Sequence, residues 1–245
     1  MRPGMRWTVT TGPKGREEEI MDEQALLERI ARLEQEVRDL RDHHVRELED
    51  KDEIRRVQYM YGYYIDSRMW DEMLELFADD GATVEIGQRG KYVGKASIRR
   101  FYEDVLSGGR WGLVPKEFWN HIQLQMIITV AEDGQSAKAR ARGMVQVSTL
   151  PEENRIRWAD GPYENTYVKE GGRWKIKDMW WVPAFYAIMK AEGEIWFASK
   201  PPSDVYPPDE PPQPADAALG RTWVPFHYPH PVTGEWTPPP SARKW

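Results

Sequence analysis

Residues 61–71 read YGYYIDSRMWD, and this stretch lies where one ring-rich helical segment ends and another begins. The preceding segment, roughly residues 51–66, predicts a helix whose second half is rich in Tyr. After it, apolar residues recur at helical spacing through residue 77, until Asp79-Asp80-Gly81 breaks the pattern. Two helices are therefore expected before the first strand.

The segment that follows has the alternating apolar and polar pattern of β-strands. A short hairpin is predicted over residues 83–93, a third helix over residues 95–105 and a closing helix over residues 185–198. Between the last two helices, strands are predicted over residues 121–130, 137–148, 161–169 and 174–182, with turns at Glu132-Asp133-Gly134 and Gly171-Gly172. Helices followed by an antiparallel meander indicate an α+β domain.

The two ends of the chain differ in composition from this predicted domain, which we place at residues 51–199. Residues 1–20 indicate a flexible leader, after which Met21 offers a second start. Residues 21–50 predict an amphipathic helical arm with a narrow apolar stripe typical of a coiled-coil seam, so it should pair with another helix or lie across the domain. Residues 200–245 are rich in Pro and in rings and predict an irregular arm that wraps its own domain or a neighbouring subunit.

Composition excludes several kinds of site. The chain has no Cys, which rules out thiol catalysis, disulfides and thiolate metal sites, and its net charge of -6 disfavours nucleic acid as a partner. There is no nucleotide-binding glycine motif and no serine-hydrolase motif, so no bound cofactor is expected. His227 and His230 lie in the Pro-rich arm without nearby carboxylates, which makes a poor metal site, so no metal is expected. Since no apolar run approaches bilayer length and no secretory signal is present, we expect a cytoplasmic protein with no membrane partner.

Helical spacing groups four candidate site residues. Tyr59, Tyr63, Asp66 and Trp70 are four, three and four residues apart, so they would share one helix face. A carboxylate on a ring-lined face is partly desolvated, which suits it to general acid or base catalysis. The alternative is that Asp66 only caps the helix that begins near residue 67.

Strand alternation supplies the other candidates. His121, Gln123 and Gln125 would face one side of their strand, where His121 can transfer protons if that side is concave and is a surface residue if it is not. The long basic residues of the next strand, such as Arg140 and Arg142, predict a solvated or subunit-facing surface. Candidate substrate contacts also include the residues Trp119, Gln146, Tyr163, Tyr167 and Trp180, with core packing as the alternative for each ring.

The motifs together resemble the nuclear transport factor 2-like (SnoaL-like) superfamily. The resemblance lies in the acidic residue Asp66 followed by the pair Trp70-Asp71, in His121 at the head of a central strand, and in the strand start at residues 172–176. It covers roughly residues 51–190 and implies a cone-shaped barrel of helices packed on a curved antiparallel sheet, with an aromatic pocket.

Within that superfamily the arrangement is most similar to the bile-acid 7α-dehydratases and scytalone dehydratases, which are cofactor-free lyases. There a Tyr and an Asp on the first helix face a His on the sheet, and the resemblance carries these roles to Tyr61, Asp66 and His121. A further acidic residue of that family corresponds to a position near Gln146, and its late Arg to a position near Pro183. The same substrate and the same proton relay are therefore not implied.

The length, the Trp-rich core and the aromatic arm are similar to the γ-formaldehyde lyases that act on lignin-derived diaryl compounds. This resemblance implies a cofactor-independent lyase that takes a small aromatic substrate and releases formaldehyde from a side-chain CH2OH. The alternatives are a dehydratase or isomerase of a polycyclic alcohol, and a non-catalytic binding or assembly module. The apolar stripe at residues 26–48 and the ring-rich termini predict a homodimer or homotrimer.

Overall fold

The computed structural model describes the backbone of residues 13–113, 117–148, 154–190, 205, 208–210 and 226–238, with side chains from residue 24 onward. Its helices are α1 (Pro13–Asp66), α2 (Trp70–Glu75) and α3 (Lys95–Arg100), the last continued by a π-helical turn, Phe101–Leu106. Its strands are β1 (Thr83–Ile86), β2 (Lys91–Val93), β3 (Trp119–Val130), β4 (Ser136–Ser148), β5 (Arg155–Glu170), β6 (Arg173–Trp181) and β7 (Phe185–Lys190). The chain divides into two compact units, Met1–Leu48 and Glu49–Trp245.

The first unit contains the first part of α1. Residues 24–46 are exposed all round the helix, and the apolar residues among them include Leu26, Ile30 and Val37. Helix α1 runs without interruption from Pro13, so it includes residues 13–20 of the predicted leader, whose residues 1–12 lie outside the described residues. The two helices predicted on either side of residue 50 are likewise one helix.

The second unit is built on one sheet with the strand order β2-β1-β6-β5-β4-β3. Neighbouring strands are antiparallel except for β1 and β6, which are parallel. The predicted turn at Gly171-Gly172 joins β5 to β6, where both glycines have the positive φ that a two-residue hairpin turn requires. Helices and a curved, largely antiparallel sheet confirm the predicted α+β class.

Strand β7 corrects the closing helix predicted over residues 185–198. Strand β6 pairs with β5 only from Tyr163 onward, which leaves the first part of β5 with an open edge. Strand β7 fills that edge in antiparallel register, with Phe185 opposite Asp160 and Lys190 opposite Arg155. The mixed aromatic and branched residues of this segment suit either structure, so the open edge of β5 decides between them. Residues 191–198 lie outside the described residues.

The core lies between the second part of α1 and the sheet. Helix α1 buries a face that includes Ile54, Val57, Tyr61 and Tyr64. The inner face of β4 carries the small residues Ala137, Ala139, Ala141 and Gly143. A Cβ on Gly143 would lie 2.5 Å from the Tyr163 ring, so the absence of a side chain makes room for that ring.

A β-bulge in β3 changes the predicted faces of that strand. Gln125 has a φ of +51° and the register with β4 shifts between Leu124 and Ile127. His121 and Ile128 therefore pair with the inner-face residues Val145 and Ala139, whereas a regular strand would send them to opposite faces. Gln125 is exposed at the bulge, so the predicted common face of His121, Gln123 and Gln125 ends at Gln123.

Candidate active site

The last helical residue of α1 meets the edge strand β3. The Asp66 carboxylate oxygen Oδ1 lies 2.8 Å from Nδ1 of the His121 ring and accepts the backbone N–H of His121 at 2.7 Å. Both side chains are mostly buried, with 12% of His121 and 14% of Asp66 exposed. Helix and strand come this close because position 62 is Gly, where a Cβ would lie 2.9 Å from the His121 carbonyl oxygen.

The hydrogen bond fixes the roles of the two ring nitrogens. A carboxylate can only accept, so Nδ1 of His121 carries a proton and donates it to Asp66. In the neutral ring this leaves Nε2 as the basic nitrogen, and the described residues provide no hydrogen bond to it. In this geometry a carboxylate can stabilise an imidazolium formed by protonation of Nε2.

Asp66 does not cap the next helix. The N-cap of α2 is Met69, which makes no side-chain capping hydrogen bond. Helix α1 ends instead in a Schellman-type turn, in which Met69 N–H bonds the Tyr64 carbonyl and Arg68 has a φ of +51°. The capping alternative considered for Asp66 is therefore wrong.

The pair lies in a groove of about 280 Å³ between α1 and β3. Two of its tyrosines are well exposed, Tyr59 at 40% and Tyr63 at 55%, so their rings are available to a ligand. The groove is lined by Tyr59, Gly62, Tyr63 and Asp66 from α1 and by Asn120, His121, Ile122 and Gln123 from β3.

A buried cluster of phenols lies behind the pair. The hydroxyls of Tyr61 and Tyr102 are 3.0 Å apart, and Tyr61 packs edge-on against Tyr163. Burial raises the pKa of Tyr163 to about 12, an effect that the negative charge of Asp66 strengthens and that hydrogen bonds to Gln123 and Tyr61 oppose. Burial also raises the pKa of Tyr61 and of Tyr102 well above the usual value. All three phenols are therefore neutral near pH 7 and can donate hydrogen bonds.

A chain of amides positions Gln123 next to His121. Gln58 of α1 is fully buried and donates to Gln123 Oε1 at 2.7 Å, and Gln123 donates in turn to the His121 carbonyl at 3.1 Å. The Gln58 oxygen accepts from Asn165 at 3.0 Å and from the Tyr167 hydroxyl at 2.5 Å. Tyr167, predicted as a substrate contact, is fully buried and supports this network.

Two predicted ring contacts have other positions. Trp70 is fully buried, stacks on Tyr102 and donates its Nε1–H to the Arg110 carbonyl at 2.8 Å. It cannot share the face of Tyr59 because α1 ends before it. Trp180 is 46% exposed in a separate groove with Phe185 and Tyr186, while its neighbour Trp181 is the buried ring beside Tyr163.

Trp119 and Gln146 flank the site. The Trp119 ring centre lies 5.8 Å from that of His121, and the guanidinium of Arg68 lies 4.4 Å from the Trp119 ring centre. Gln146 is on the opposite face of β4 from Val145 and accepts a hydrogen bond from Asn120 at 3.0 Å. Gln146 thus touches the groove through Asn120, not directly.

Sequence reasoning missed a buried ion pair next to the site. Arg68 and Glu117 are almost fully buried and form a two-point ion pair, to which Arg110 adds a contact at 3.1 Å. Burial lowers the pKa of Arg68 to about 10, with the charge of Glu117 opposing, so the guanidinium stays charged near pH 7. The one available signal was the position of Arg68 two residues after Asp66.

The described residues contain no group of three or more His, Cys, Asp and Glu side chains placed to hold a metal ion. Within the same residues, no helix combines the length and apolar character that a bilayer crossing requires.

Solved structures share this fold. A protein from Novosphingobium aromaticivorans provisionally described as a scytalone dehydratase matches with a TM-score of 0.51 and 18% identity, over 61% of this chain and 93% of its own. The LinA type 3 hexachlorocyclohexane dehydrochlorinase from Novosphingobium barchaimii matches with a TM-score of 0.52 and 14% identity, over 62% and 97%. A LinA type 2 hexachlorocyclohexane dehydrochlorinase matches with a TM-score of 0.53 and 15% identity, over 62% of this chain and 96% of its own.

No curated protein sequence matches the chain significantly. The model of the SnoaL-like domain family matches residues 46–179, which is more than half of the 245 residues and includes Asp66, His121 and the whole groove between them. The chain therefore belongs to the SnoaL-like domain family.

Proposed function

We propose that this protein is a cofactor-independent lyase that acts on a lignin-derived aromatic substrate by acid–base elimination. The observation that carries the proposal is the Asp66–His121 hydrogen bond in the wall of a groove with exposed tyrosine rings. With Nδ1 held by Asp66, Nε2 of His121 is the proton acceptor. A positioned base of this kind contributes about 10²–10⁴-fold in rate.

The chemistry needs only proton transfers and charge stabilisation. In a diaryl substrate with a para-hydroxyl group, the phenol oxygen supplies electrons that expel the benzylic oxygen, which leaves with a proton, and a quinone methide forms. The base then removes the O–H proton of the neighbouring CH2OH. The O–H electron pair becomes the C=O bond of formaldehyde, and the electrons of the broken C–C bond form the alkene and restore the phenol. Hydrogen-bond donors that line the groove, such as the Asn120 amide, can stabilise charge that develops on oxygen.

The lining of the groove supports an aromatic substrate. Tyr59 and Tyr63 offer ring faces to the groove, and Trp119 lies beside His121. Asn120 and Gln123 add amide groups that can hydrogen-bond phenolic or alcoholic oxygens. A ring held against the tyrosines would lie in the same groove as His121.

A second candidate is a dehydratase or dehydrohalogenase type of elimination that leaves the carbon skeleton intact. It is favoured by what the structural neighbours are named, a scytalone dehydratase and the LinA dehydrochlorinases. The same base would remove a proton from carbon, and a hydroxide or halide would leave. The two candidates differ in one product, formaldehyde.

The test is a substrate panel with separate detection of formaldehyde and of alkene. The purified protein is incubated with 1,2-diaryl-1,3-propanediol and phenylcoumaran compounds, and both products are measured. Equal amounts of formaldehyde and stilbene support the proposed lyase. Alkene without formaldehyde supports the second candidate. No product from any diaryl alcohol refutes the proposed lyase and limits the second candidate to substrates of another class.

Variants of the pair link activity to the site. Asp66→Asn and His121→Gln each keep the approximate shape and remove the titratable group, and we expect at least one to lower kcat by about 10²–10⁴-fold. Asp52→Asn and His43→Gln are the matched controls, because these residues are exposed on α1 and lie outside the groove. Wild-type turnover in both site variants would contradict the assignment.

A further inference from the structure

The first unit carries an exposed apolar stripe with a regular repeat. The apolar residues are four, three, four and three positions apart, which is the spacing of a two-heptad coiled-coil seam. All five side chains are exposed, from 42% for Ile30 to 61% for Val37. The seam consists of Leu26, Ile30, Leu33, Val37 and Leu40.

The residue types in the seam favour one number and orientation of helices. When the seam is divided into heptads, the a positions hold Ile30 and Val37, and the d positions hold Leu26, Leu33 and Leu40. β-Branched residues at a with Leu at d favour two parallel strands. We propose that residues 26–40 of α1 form a parallel, in-register, two-stranded coiled coil with the same residues of a second copy of this chain.

Charges beside the seam fit the same arrangement. In a parallel pair each g residue faces the e residue of the next heptad on the other helix. Here these pairs are Arg29 with Glu34 and Glu36 with Arg41, and both are of opposite sign. Within one chain, Glu34 and Glu36 contact Arg38 and Arg32 only at 3.8 and 3.9 Å, at exposed positions, so they can exchange these contacts at little cost.

An antiparallel pair fits less well. With Leu33 of each copy nearest Val37 of the other, Glu34 would lie beside Glu34 of the second copy, and like charges would face each other. With Ile30 and Leu33 paired instead, Glu34 would lie near Leu27 and lose its charged partner. Only the parallel arrangement gives both acidic residues a basic partner and pairs like positions of the seam.

The absence of Cys makes the orientation directly measurable. In the full chain, Leu26→Cys places a thiol at the seam, where two copies approach only in the parallel register. Glu28→Cys is the matched control, because position f faces away from the seam. On mild oxidation we expect Leu26→Cys to form the disulfide-linked dimer at least about tenfold faster than Glu28→Cys. Equal rates, or a monomeric or trimeric mass of the wild-type chain by sedimentation at micromolar concentration, would overturn the proposal.

A charge exchange tests the register. Added to Leu26→Cys, the change Glu34→Arg places two basic residues opposite each other, and we expect cross-linking to slow by about tenfold. Adding Arg29→Glu restores an opposite-sign pair and should return the rate to within about twofold of the starting variant. Circular dichroism of the three proteins checks that the helix is retained. Failure of the second change to rescue the first would refute the in-register pairing.

Discussion

Lowering the pH below about 6.5 should loosen residues 226–238, because His230 is held there as a neutral ring. Its side chain is 3% exposed, and Nδ1 accepts the backbone N–H groups of Val232 and Thr233 at 3.1 and 3.2 Å. Nε2 donates to the Glu72 carbonyl at 2.9 Å, and the ring stacks on Tyr64 of α1 with 5.3 Å between the ring centres. A proton on Nδ1 would break both backbone hydrogen bonds.

The size of the effect follows from the pKa of His230. Burial lowers it from 6.5 to about 4, although the charges of Glu75 and Glu235 act in the opposite direction. Between these two values the unfolded chain binds a proton that the folded chain does not. The stabilisation is thus complete above about pH 6.5 and is lost as the pH falls towards 4. Each pH unit between the two pKa values corresponds to about 1.4 kcal/mol, so the free energy of unfolding falls by about 3 kcal/mol over this interval.

The assay compares the wild type with His230→Asn by urea unfolding at pH 7.5 and at pH 4.5. Asn retains an acceptor for the two amides but does not titrate, and the other carboxylates titrate alike in both proteins. We expect the stability advantage of the wild type to fall by about 2–3 kcal/mol over this interval. Protection of the Val232 and Thr233 amides from hydrogen exchange shows whether the segment separates before the domain unfolds. A wild-type advantage that is the same at both pH values would refute the reasoning.

Three further outcomes are expected. Exhaustive chelation should leave activity unchanged. Loss of activity on chelation, with recovery when one metal is added, would contradict the role of His121 as a proton carrier. Gly62→Ala should lower the free energy of unfolding by about 1 kcal/mol, because the added Cβ would lie 2.9 Å from a backbone oxygen. The steric cost of this contact outweighs the better helix propensity of Ala. A more stable variant would refute the close contact. Tyr63→Ala should lower kcat/KM about tenfold by loss of a ring contact, whereas Trp180→Ala removes an exposed ring in another groove and should change kcat/KM by less than about twofold. Equal losses of kcat/KM would show that the substrate groove has been misplaced.

Local sequence patterns predict much of the fold. The order of helices and strands and the turn at Gly171-Gly172 follow from periodicity and turn chemistry, both of which act over a few residues. Strand β7 does not, because its conformation depends on an open edge of β5 that arises only when the sheet assembles. The bulge at Gln125 also escapes prediction, since the strand carries no Gly or Pro there to mark it.

Some residues of the candidate site were predictable from local spacing, and others depend on the assembled fold. Helical spacing correctly placed Tyr59, Tyr63 and Asp66 on one face, because α1 is regular through these residues. It failed for Trp70, which follows the left-handed residue Arg68 and turns into the core. The partnership of Asp66 with His121 spans 55 residues and came from the family resemblance, since no local pattern could show it. Its role in catalysis remains a prediction.

The end of α1 is locally unfavourable in three respects. Gly62 weakens the helix by about 0.5–1 kcal/mol relative to Ala. Asp66 puts a negative charge in the last turn, where the helix dipole favours a positive one. Arg68 takes a left-handed conformation that Gly would adopt without strain.

Each of these costs has a counterpart in a contact with β3 or with the residues just before it. Gly62 lets the strand approach, Asp66 gains two hydrogen bonds from His121, and Arg68 gains a buried partner in Glu117. Segments that only fill a core follow local rules, as the buried face of α1 does from Ile54 to Tyr61. Departures from these rules that gather on both sides of one carboxylate indicate a segment that serves the geometry of a site more than the stability of a helix. This supports assigning the chemistry to Asp66 and His121. The groove around Trp180 also has close glycine contacts, at Gly87 and Gly161, but the described residues that line it include no histidine.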